Sequence, residues 1–348
     1  MRFLLSLILF AALAACNQPT PKTTQENMKG KYAIAIHGGA GNLVKMNLSQ
    51  EQQDAYIHAL DSALLTGEAI LKSGGSAVDA VEATVRILED CPLFNAGKGA
   101  VFTHDGTHEL DAAIMDGSNG ECGAVAAVQH IKNPISLARK VMEKSEFILL
   151  HGAGAEAFAQ EHGIESADSA YFFTPHRWEQ LQDAIEDDKT ELDHSEKKKA
   201  SNDNAPREEK FGTVGCVALD QNGNLAAATS TGGLTNKRYG RIGDSPLIGS
   251  GTYANNASCA VSCTGKGEDF IRLNVAHEIS AMMRHKNYDL QQACDSVIHG
   301  ALKSVKGRGG CIALDSQGHI AMPFTTSGMF RGSIDTAGQK TIMLYEAP

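Results

Sequence analysis

The chain has 348 residues, 42% of them hydrophobic, which is enough to bury a sizeable core as one large domain or two ordinary ones. Its 31 Lys and Arg stand against 41 Asp and Glu, a formal charge of −10 that leaves no electrostatic footprint for nucleic acid and reads as solubility. Of the eight Cys, none forms a CxxC pair, so neither a disulfide framework nor a zinc site is indicated.

At the N-terminus Arg2 precedes an apolar run from Phe3 to Ala15, shorter than the roughly 20 residues a membrane span needs and of the length of a secretory h-region. The run ends in Leu13-Ala14-Ala15-Cys16, which resembles a bacterial lipoprotein lipobox. The resemblance implies lipidation of Cys16 and export to the cell envelope or periplasm, with membrane attachment only through that anchor. Residues 17–30 read as a polar tether. The remaining seven Cys, several in apolar runs such as Gly215-Cys216-Val217-Ala218-Leu219, read mostly as small buried hydrophobes.

Lys31 to Ile36 is a strand that runs into His37-Gly38-Gly39-Ala40-Gly41. Ser49 to Gln52 forms a capping box, and Ile57, Leu60, Leu64 and Leu71 then share one helical face. Ser76 caps a second helix with Val78, Val81, Val85 and Leu88 on its apolar face, ended by Pro92. A Gly-rich, strand-like stretch follows, from Asn95 through Phe102 and again from Gly123 to Val128; Asn133-Pro134 opens a helix, and Phe147 to Leu150 is again strand-like.

The strongest boundary is 189–212, where six Lys or Arg and six Asp or Glu surround only two large apolar residues, Leu192 and Phe211. Such a segment reads as an exposed, protease-accessible linker. Beyond it come two strands joined at Asn222-Gly223, a hairpin signal. The same pattern returns at a constant offset of 95 residues, so that Gly215 matches Gly310 and Gly233 matches Gly328, with strands from Gly310 to Asp315 and from Ile320 to Thr326. Two helices between these echoes are expected over Glu268 to Arg284 and Leu290 to Ser304, the second capped by Asp289 with Gln292. Strands and helices, a flexible break, then strands, helices and strands indicate an α+β protein with antiparallel sheets covered by helices. The parts are 1–16 signal, 17–30 tether, 31–188 first part of one hydrolase domain, 189–212 linker and 213–348 second part.

Thr213 sits where the linker meets a buried strand. Cutting the bond before it would give it a free α-amine, with a pKa near 7.7–8.0, beside its own hydroxyl, a recognised way to activate Thr as a nucleophile. Gly212 leaves room for attack on its carbonyl. Taken alone, this pattern is better explained by a Thr that merely begins a strand. Further motifs change the balance. Thr229-Ser230-Thr231-Gly232-Gly233 returns hydroxyls to the same end of the hairpin. Gly240-Arg241-Ile242-Gly243-Asp244 offers a cation and an anion three residues apart, able to hold the carboxylate and ammonium of an amino acid, although a surface salt bridge is the plainer reading. Ser262 to Glu268 is a Gly-rich turn into a helix N-terminus, oriented for an oxyanion.

Together with His37-Gly-Gly-Ala-Gly, Cys91-Pro-Leu-Phe-Asn-Ala-Gly, His108-Glu-Leu-Asp-Ala, Asn236-Lys237 and Tyr253-Ala-Asn-Asn, these motifs resemble the plant-type L-asparaginase/isoaspartyl peptidases, over about Lys31 to Arg331. The resemblance implies a four-layer αββα sandwich of the N-terminal nucleophile hydrolases, autocleavage between Gly212 and Thr213, and a dimer of αβ protomers. It implies Thr213 as nucleophile, Thr231 orienting it, Thr264 and the Gly265 N–H as oxyanion hole, Arg241 and Asp244 binding the substrate α-carboxylate and α-ammonium, and Asn95 organising the scissile region. It implies no catalytic cofactor, and a structural sodium ion held by the main-chain carbonyls of Leu88, Glu89, Cys91, Phe94, Ala96 and Lys98. Small-molecule or dipeptide substrates would be cleaved by acyl transfer to release aspartate. Two departures stand out: Thr325-Thr326-Ser327 replaces the usual Asn-Thr-Glu, and Lys98 stands where an aliphatic residue is common. The competing readings are a glycosylasparaginase, which shares Thr and the Gly-Arg-x-Gly-Asp-Ser-Pro motif, and an inactive lipid-anchored binding protein. A Ser-His-Asp hydrolase built on His37 lacks a Gly-x-Ser-x-Gly elbow.

Overall fold

The computed structural model describes residues 30–43, 48–187 and 212–345. The signal segment with Cys16, the tether up to residue 29 and positions 189–211 of the linker lie outside the described residues.

The elements in chain order are β1 (Ala33–Gly41), α1 (Gln50–Lys72), α2 (Ala77–Glu89), β2 (Leu110–Asp116), β3 (Cys122–Val128), α3 (Pro134–Lys144), β4 (Leu149–His151), α4 (Gly152–Glu161), α5 (Ser169–Phe172) and α6 (Pro175–Glu186). After the break come β5 (Val214–Leu219), β6 (Leu225–Thr231), β7 (Thr252–Ala254), β8 (Cys259–Gly265), α7 (Gly267–Leu273), α8 (Val275–Lys286), α9 (Leu290–Asp295), β9 (Gly309–Asp315), β10 (Ile320–Ala321), β11 (Gly328–Ile334) and β12 (Lys340–Tyr345). An eight-stranded sheet runs β12-β11-β1-β5-β6-β2-β3-β4, and a four-stranded one β10-β9-β8-β7. All pairings are antiparallel except β3 with β4.

Strand periodicity sorts the side chains into layers, because successive residues face opposite sides of a sheet. In β1, Ile34 and Ile36 enter a core with Leu60 and Leu64 of α1, Val81 and Val85 of α2 and Val141 of α3. The intervening Ala33 and Ala35 enter a second core with Val217, Leu219, Ala260, Ile312 and Leu314, between the two sheets. In β8 and β9, Val261, Cys263, Cys311 and Ala313 face a third core with Phe270, Ile279, Leu290 and Ile298 of the remaining helices. Three cores separating helices, sheet, sheet and helices make the four-layer αββα sandwich. Alanine is the commonest residue of the middle core, which it shares with larger side chains such as Leu219, Ile312 and Phe324.

The capping boxes at Ser49–Gln52 and Asp289–Gln292 form as expected, and Ser76 caps α2. All seven cysteines downstream of Cys16 are free thiols, five of them buried. Other expectations are corrected. Asn133 holds the N-cap position of α3 with Pro134 in the first turn, but without a side-chain capping bond; its side chain donates to Asp90, and the Glu89 carboxylate takes the Ile135 N–H instead. The helix expected over Glu268 to Arg284 is two helices, broken where Asn274 adopts the left-handed region at φ 53°. The freed N–H groups of Ala276 and His277 donate to the Ser250 and Gly249 carbonyls. The helix expected over Leu290 to Ser304 widens to a π-helix at Ser296–Leu302. Asn95 to Phe102 is a loop with one 3-10 turn rather than strand, and Ile320 to Thr326 is a strand only at Ile320 and Ala321, with a single further bridge from Phe324 to Gly310, because Pro323 between them lacks an N–H. No helix among the described residues is long and apolar enough to cross a membrane.

Candidate active site

The same alternation that builds the middle core places the chemistry. Thr213 shares the face of Val217 and Leu219, Thr229 and Thr231 that of Leu225 and Ala227, His37 that of Ala35, and Ser262 and Thr264 that of Ala260. All these polar groups therefore lie between the sheets, at one end of the strands.

The β5–β6 register sets Gly215 opposite Thr229, so Thr213 and Thr231 fall side by side. The Thr213 hydroxyl donates to Thr231 Oγ1 at 3.1 Å, and the Gly233 N–H donates to the same oxygen at 3.0 Å. Thr213 is nearly buried, at 8% exposure. The Gly212 carbonyl, which precedes Thr213 in the chain, accepts the backbone N–H of Asn95 at 3.0 Å. Asn95 is fixed in turn, its amide nitrogen donating to Gly233 O and its amide oxygen accepting the Val101 N–H. Asn95 thus touches the Gly212–Thr213 junction through its main chain, while its side chain braces the loop against Gly233 and Val101.

Gly212, Thr213, Thr231, Gly233, Arg241, Asp244 and Gly265 line one narrow pocket. Thr264 sits behind its wall and its Oγ1 accepts the Ala40 N–H at 3.3 Å, which leaves the hydroxyl proton to donate. Arg241 does not pair with Asp244, as a plain salt bridge would require. Its guanidinium makes a two-pronged contact with Glu268, at 2.9 and 3.0 Å, and this partner holds Glu268 below its usual range although burial alone would raise it. Gly243 and Gly267 make room: a Cβ on either would stand 2.9 or 2.8 Å from a guanidinium nitrogen. Asp244 is buried, its Oδ2 has no hydrogen-bond partner among the described residues, and burial pushes its carboxyl up to about 7 against the pull of Arg241. An unsatisfied buried carboxylate a few residues from a cation is suited to the ammonium of a zwitterion.

The sequence alone assigned no role to Glu268, although it closes the Gly-rich turn that begins at Ser262. It also missed Asp111, which the register sets opposite Thr231. Asp111 is fully buried and its pKa is raised by burial, with Lys237 and the Ala127 N–H opposing. The Thr325-Thr326-Ser327 departure is absorbed locally: Thr325 bonds to Gly309, Thr326 to Gly328 O and Ser327 to Asn42.

A threonine hydroxyl set between two stacked sheets, behind a peptide bond whose carbonyl is already held, defines an N-terminal nucleophile hydrolase. A family model described as asparaginase matches residues 30–344, and the chain belongs to that family. It is 52% identical to the isoaspartyl peptidase of Escherichia coli K12, over 87% of this chain and 92% of the relative. It is 43% identical to a probable isoaspartyl peptidase/L-asparaginase of Arabidopsis thaliana, over 91% of this chain and 100% of the relative, and 40% identical to the isoaspartyl peptidase/L-asparaginase of Rattus norvegicus, over 89% and 88%.

Proposed function

We propose that the chain is an autoprocessing threonine amidohydrolase that releases L-aspartate from isoaspartyl dipeptides and L-asparagine. The observation that carries this reading is the Thr213–Thr231 hydroxyl pair at 3.1 Å, with the Gly212 carbonyl held beside it and the Arg241 and Asp244 pair across the same pocket. Cleavage before Thr213 frees its α-amine, which takes the hydroxyl proton. The alkoxide attacks the side-chain carbonyl of the substrate, Thr264 Oγ and the Gly265 N–H take up the developing negative charge, and ammonia or the amino end of the downstream peptide leaves. Water then releases aspartate. Arg241 binds the α-carboxylate, sharing its guanidinium with Glu268, and Asp244 binds the α-ammonium.

A structural sodium ion fits the loop that leaves α2. Carbonyls crowd inward there: a Cβ on Gly97 would stand 2.4 Å from Glu89 O, and one on Gly99 2.1 Å from Phe94 O, so both positions need glycine. Main-chain oxygens of Leu88, Glu89, Cys91, Phe94, Ala96 and Lys98 would hold the ion. Lys98 is no obstacle, since its ammonium lies 5.4 Å from the Tyr171 ring centre. The ion would steady the loop that carries Asn95. We assign the working unit as a dimer of αβ protomers anchored in the cell envelope through Cys16.

The test is intact mass and a denaturing gel of the signal-less protein and its Thr213→Ala variant, followed by turnover of β-aspartyl-leucine, asparagine and a glycosyl-asparagine. Two chains, the second beginning at Thr213, together with release of aspartate from the first two substrates, are expected. A wild type that stays whole, or one that acts only on the glycosyl compound, overturns the reading.

A further inference from the structure

One buried side chain beside Thr213 has no part in this chemistry. His37, in the His-Gly-Gly-Ala-Gly run, is fully buried between the sheets. Its Nδ1 lies 3.0 Å from the carbonyl oxygen of Thr213, and its Nε2 lies 3.0 Å from Ser262 Oγ. Ser262 Oγ is 2.6 Å from Thr229 Oγ1, which is 2.7 Å from Thr252 Oγ1. Ser262, Thr229 and Thr252 are as buried as the ring.

We infer that His37 is a positioning residue for the nucleophile: a neutral imidazole in a single tautomer, fixed by the Ser262–Thr229 hydroxyl pair, which holds Thr213 by its carbonyl. The inference rests on the assignment of Thr213 as the nucleophile. A carbonyl can only accept, so Nδ1 carries the proton. A second proton on Nε2 would bury a cation far from any carboxylate contact, and burial accordingly pushes the ring pKa down to about 3. Nε2 therefore accepts the Ser262 hydroxyl proton, Ser262 accepts from Thr229, and Thr229 accepts from Thr252. Carbonyls compete for two of these protons, Ser245 O at 3.0 Å from Thr252 Oγ1 and Gly251 O at 3.4 Å from Thr229 Oγ1, but the hydroxyl contacts at 2.7 and 2.6 Å are shorter, and only a row of donors pointing toward Thr213 puts a proton in each of them.

A second, independent feature requires the same contact. The register sets His37 opposite Gly215, two residues after the nucleophile. A Cβ at Gly215 would stand 2.0 Å from Ser262 Oγ and 2.4 Å from His37 Nε2. The glycine of Thr213-Val214-Gly215 is therefore the space in which the imidazole meets the serine. The same strand also reaches the oxyanion side. Past an irregularity between His37 and Gly39, the Ala40 N–H donates to Thr264 Oγ1. One strand thus ties down the residue that attacks and the residue that receives the charge. Its partners, Ser262 on β8 and Thr229 on β6, lie two positions from Thr264 and Thr231 respectively. Small errors in such placement cost rate rather than binding.

The variants that test this are His37→Asn, His37→Gln and Ser262→Ala, each made in the whole chain and assayed with β-aspartyl-leucine after processing. The Asn amide can place an N–H where Nδ1 stands, and the Gln amide reaches only toward Nε2. Partners that orient a metal ligand from behind are worth about 10- to 100-fold, and the same scale is expected for one that orients a nucleophile. His37→Gln is expected to lose about 100-fold in kcat with KM within about twofold, His37→Asn to recover about tenfold of that loss, and Ser262→Ala to lose about tenfold. In the His37→Gln/Ser262→Ala double variant the two losses should not multiply, because one row of bonds is broken twice. Wild-type kcat in folded, processed His37→Gln, an Asn variant no better than Gln, or a loss confined to KM overturns the positioning role. If His37→Gln fails to process, Ser262→Ala decides alone, since it removes one hydroxyl and leaves the ring: an undiminished kcat there overturns the role, and a kcat-only loss supports it. N-terminal sequencing of the wild type separates the two claims. A second chain that does not begin at Thr213 defeats the nucleophile assignment, whereas one that does, beside unaffected variants, defeats only the role of His37.

Discussion

The β5–β6 and β9–β10 hairpins are built alike and used differently. In each, one aspartate folds the turn: Asp220 Oδ1 accepts the N–H groups of Asn222 and Asn224, and Asp315 Oδ1 those of Gln317 and His319. Gly223 and Gly318 take φ near 85° and 82° in the two turns. In each, a glycine near the start of the first strand leaves a space over the sheet. Over Gly215 the space holds the His37–Ser262 hydrogen bond. Over Gly310 it holds Phe324, whose Cβ a new methyl would meet at 2.6 Å. The polar filling belongs to the hairpin in the middle of the large sheet and the apolar filling to the one at the edge of the small sheet. The turn sequence therefore specifies a piece of scaffold, and what crosses the glycine decides whether it carries chemistry.

The comparison breaks first at the strand start. Thr213→Ala should leave one chain instead of two on a denaturing gel and lower turnover by on the order of 10⁴- to 10⁶-fold. Arg308, the residue 95 positions on, is no nucleophile, and its replacement by Ala should leave processing intact by the same gel. Next, Gly215→Ala and Gly310→Ala both overpack and should each cost about 1–3 kcal/mol in thermal or denaturant unfolding. Only Gly215→Ala should also lower kcat of the folded enzyme, by about 100-fold, since it displaces Ser262 and His37. Equal effects of the two on kcat would mean that the fillings are interchangeable.

The connections that leave the hairpins sharpen the contrast further. The one after β6 carries Asp244, whose carboxyl is raised in the folded protein to about 7. The sign follows from burial: the neutral form suits the free enzyme, so the stability it contributes is present below the ordinary carboxylate value and is lost as pH rises through about 7. A substrate ammonium needs the ionised form. KM should therefore rise as pH falls below about 7, approaching tenfold per unit, while kcat follows the α-amine near 7.7–8.0. A KM that is flat from about pH 5 to 8 would exclude Asp244 as the ammonium partner. The smallest effect lies in the turns. Asp220→Ala should destabilise more than Asp315→Ala, by about 1 kcal/mol in denaturant unfolding, because Asp220 Oδ2 takes the buried Ala77 N–H at the start of α2, whereas Asp315 Oδ2 meets only the exposed ring of His319.

Much of this was legible in the chain. The two hairpins declare themselves by their repeated Asp-x-x-Gly turns, and Thr213, Thr231, Arg241 and Asp244 do meet at one pocket. Less visible were features decided by distant partners. Asn274 breaks a helix whose apolar period runs on unbroken, because the loop at Gly249 and Ser250 claims its N–H groups. β11 and β12 were not anticipated: Gly328, Arg331 and Ser333 interrupt any simple alternation, and β11 owes its place to pairing with β1. Nothing local marks Glu268 as the partner of Arg241, which grips it from 27 residues away in the chain.

The strand order sets what the proposed cut before Thr213 would do to the protein. β1 precedes the cut and lies between β5 and β11, both of which come after the cut in the chain. Severing one peptide bond leaves the sheet intact, yet it turns a single chain into two that are interleaved. The folded product is held by the same ladders as before, but the connection that kept its halves at high mutual concentration is gone. Unfolding of the mature form becomes a dissociation, and recovery must wait on the encounter of two separate molecules. Maturation thereby makes folding a one-way event, and the lifetime of the enzyme depends on how slowly that shared sheet opens.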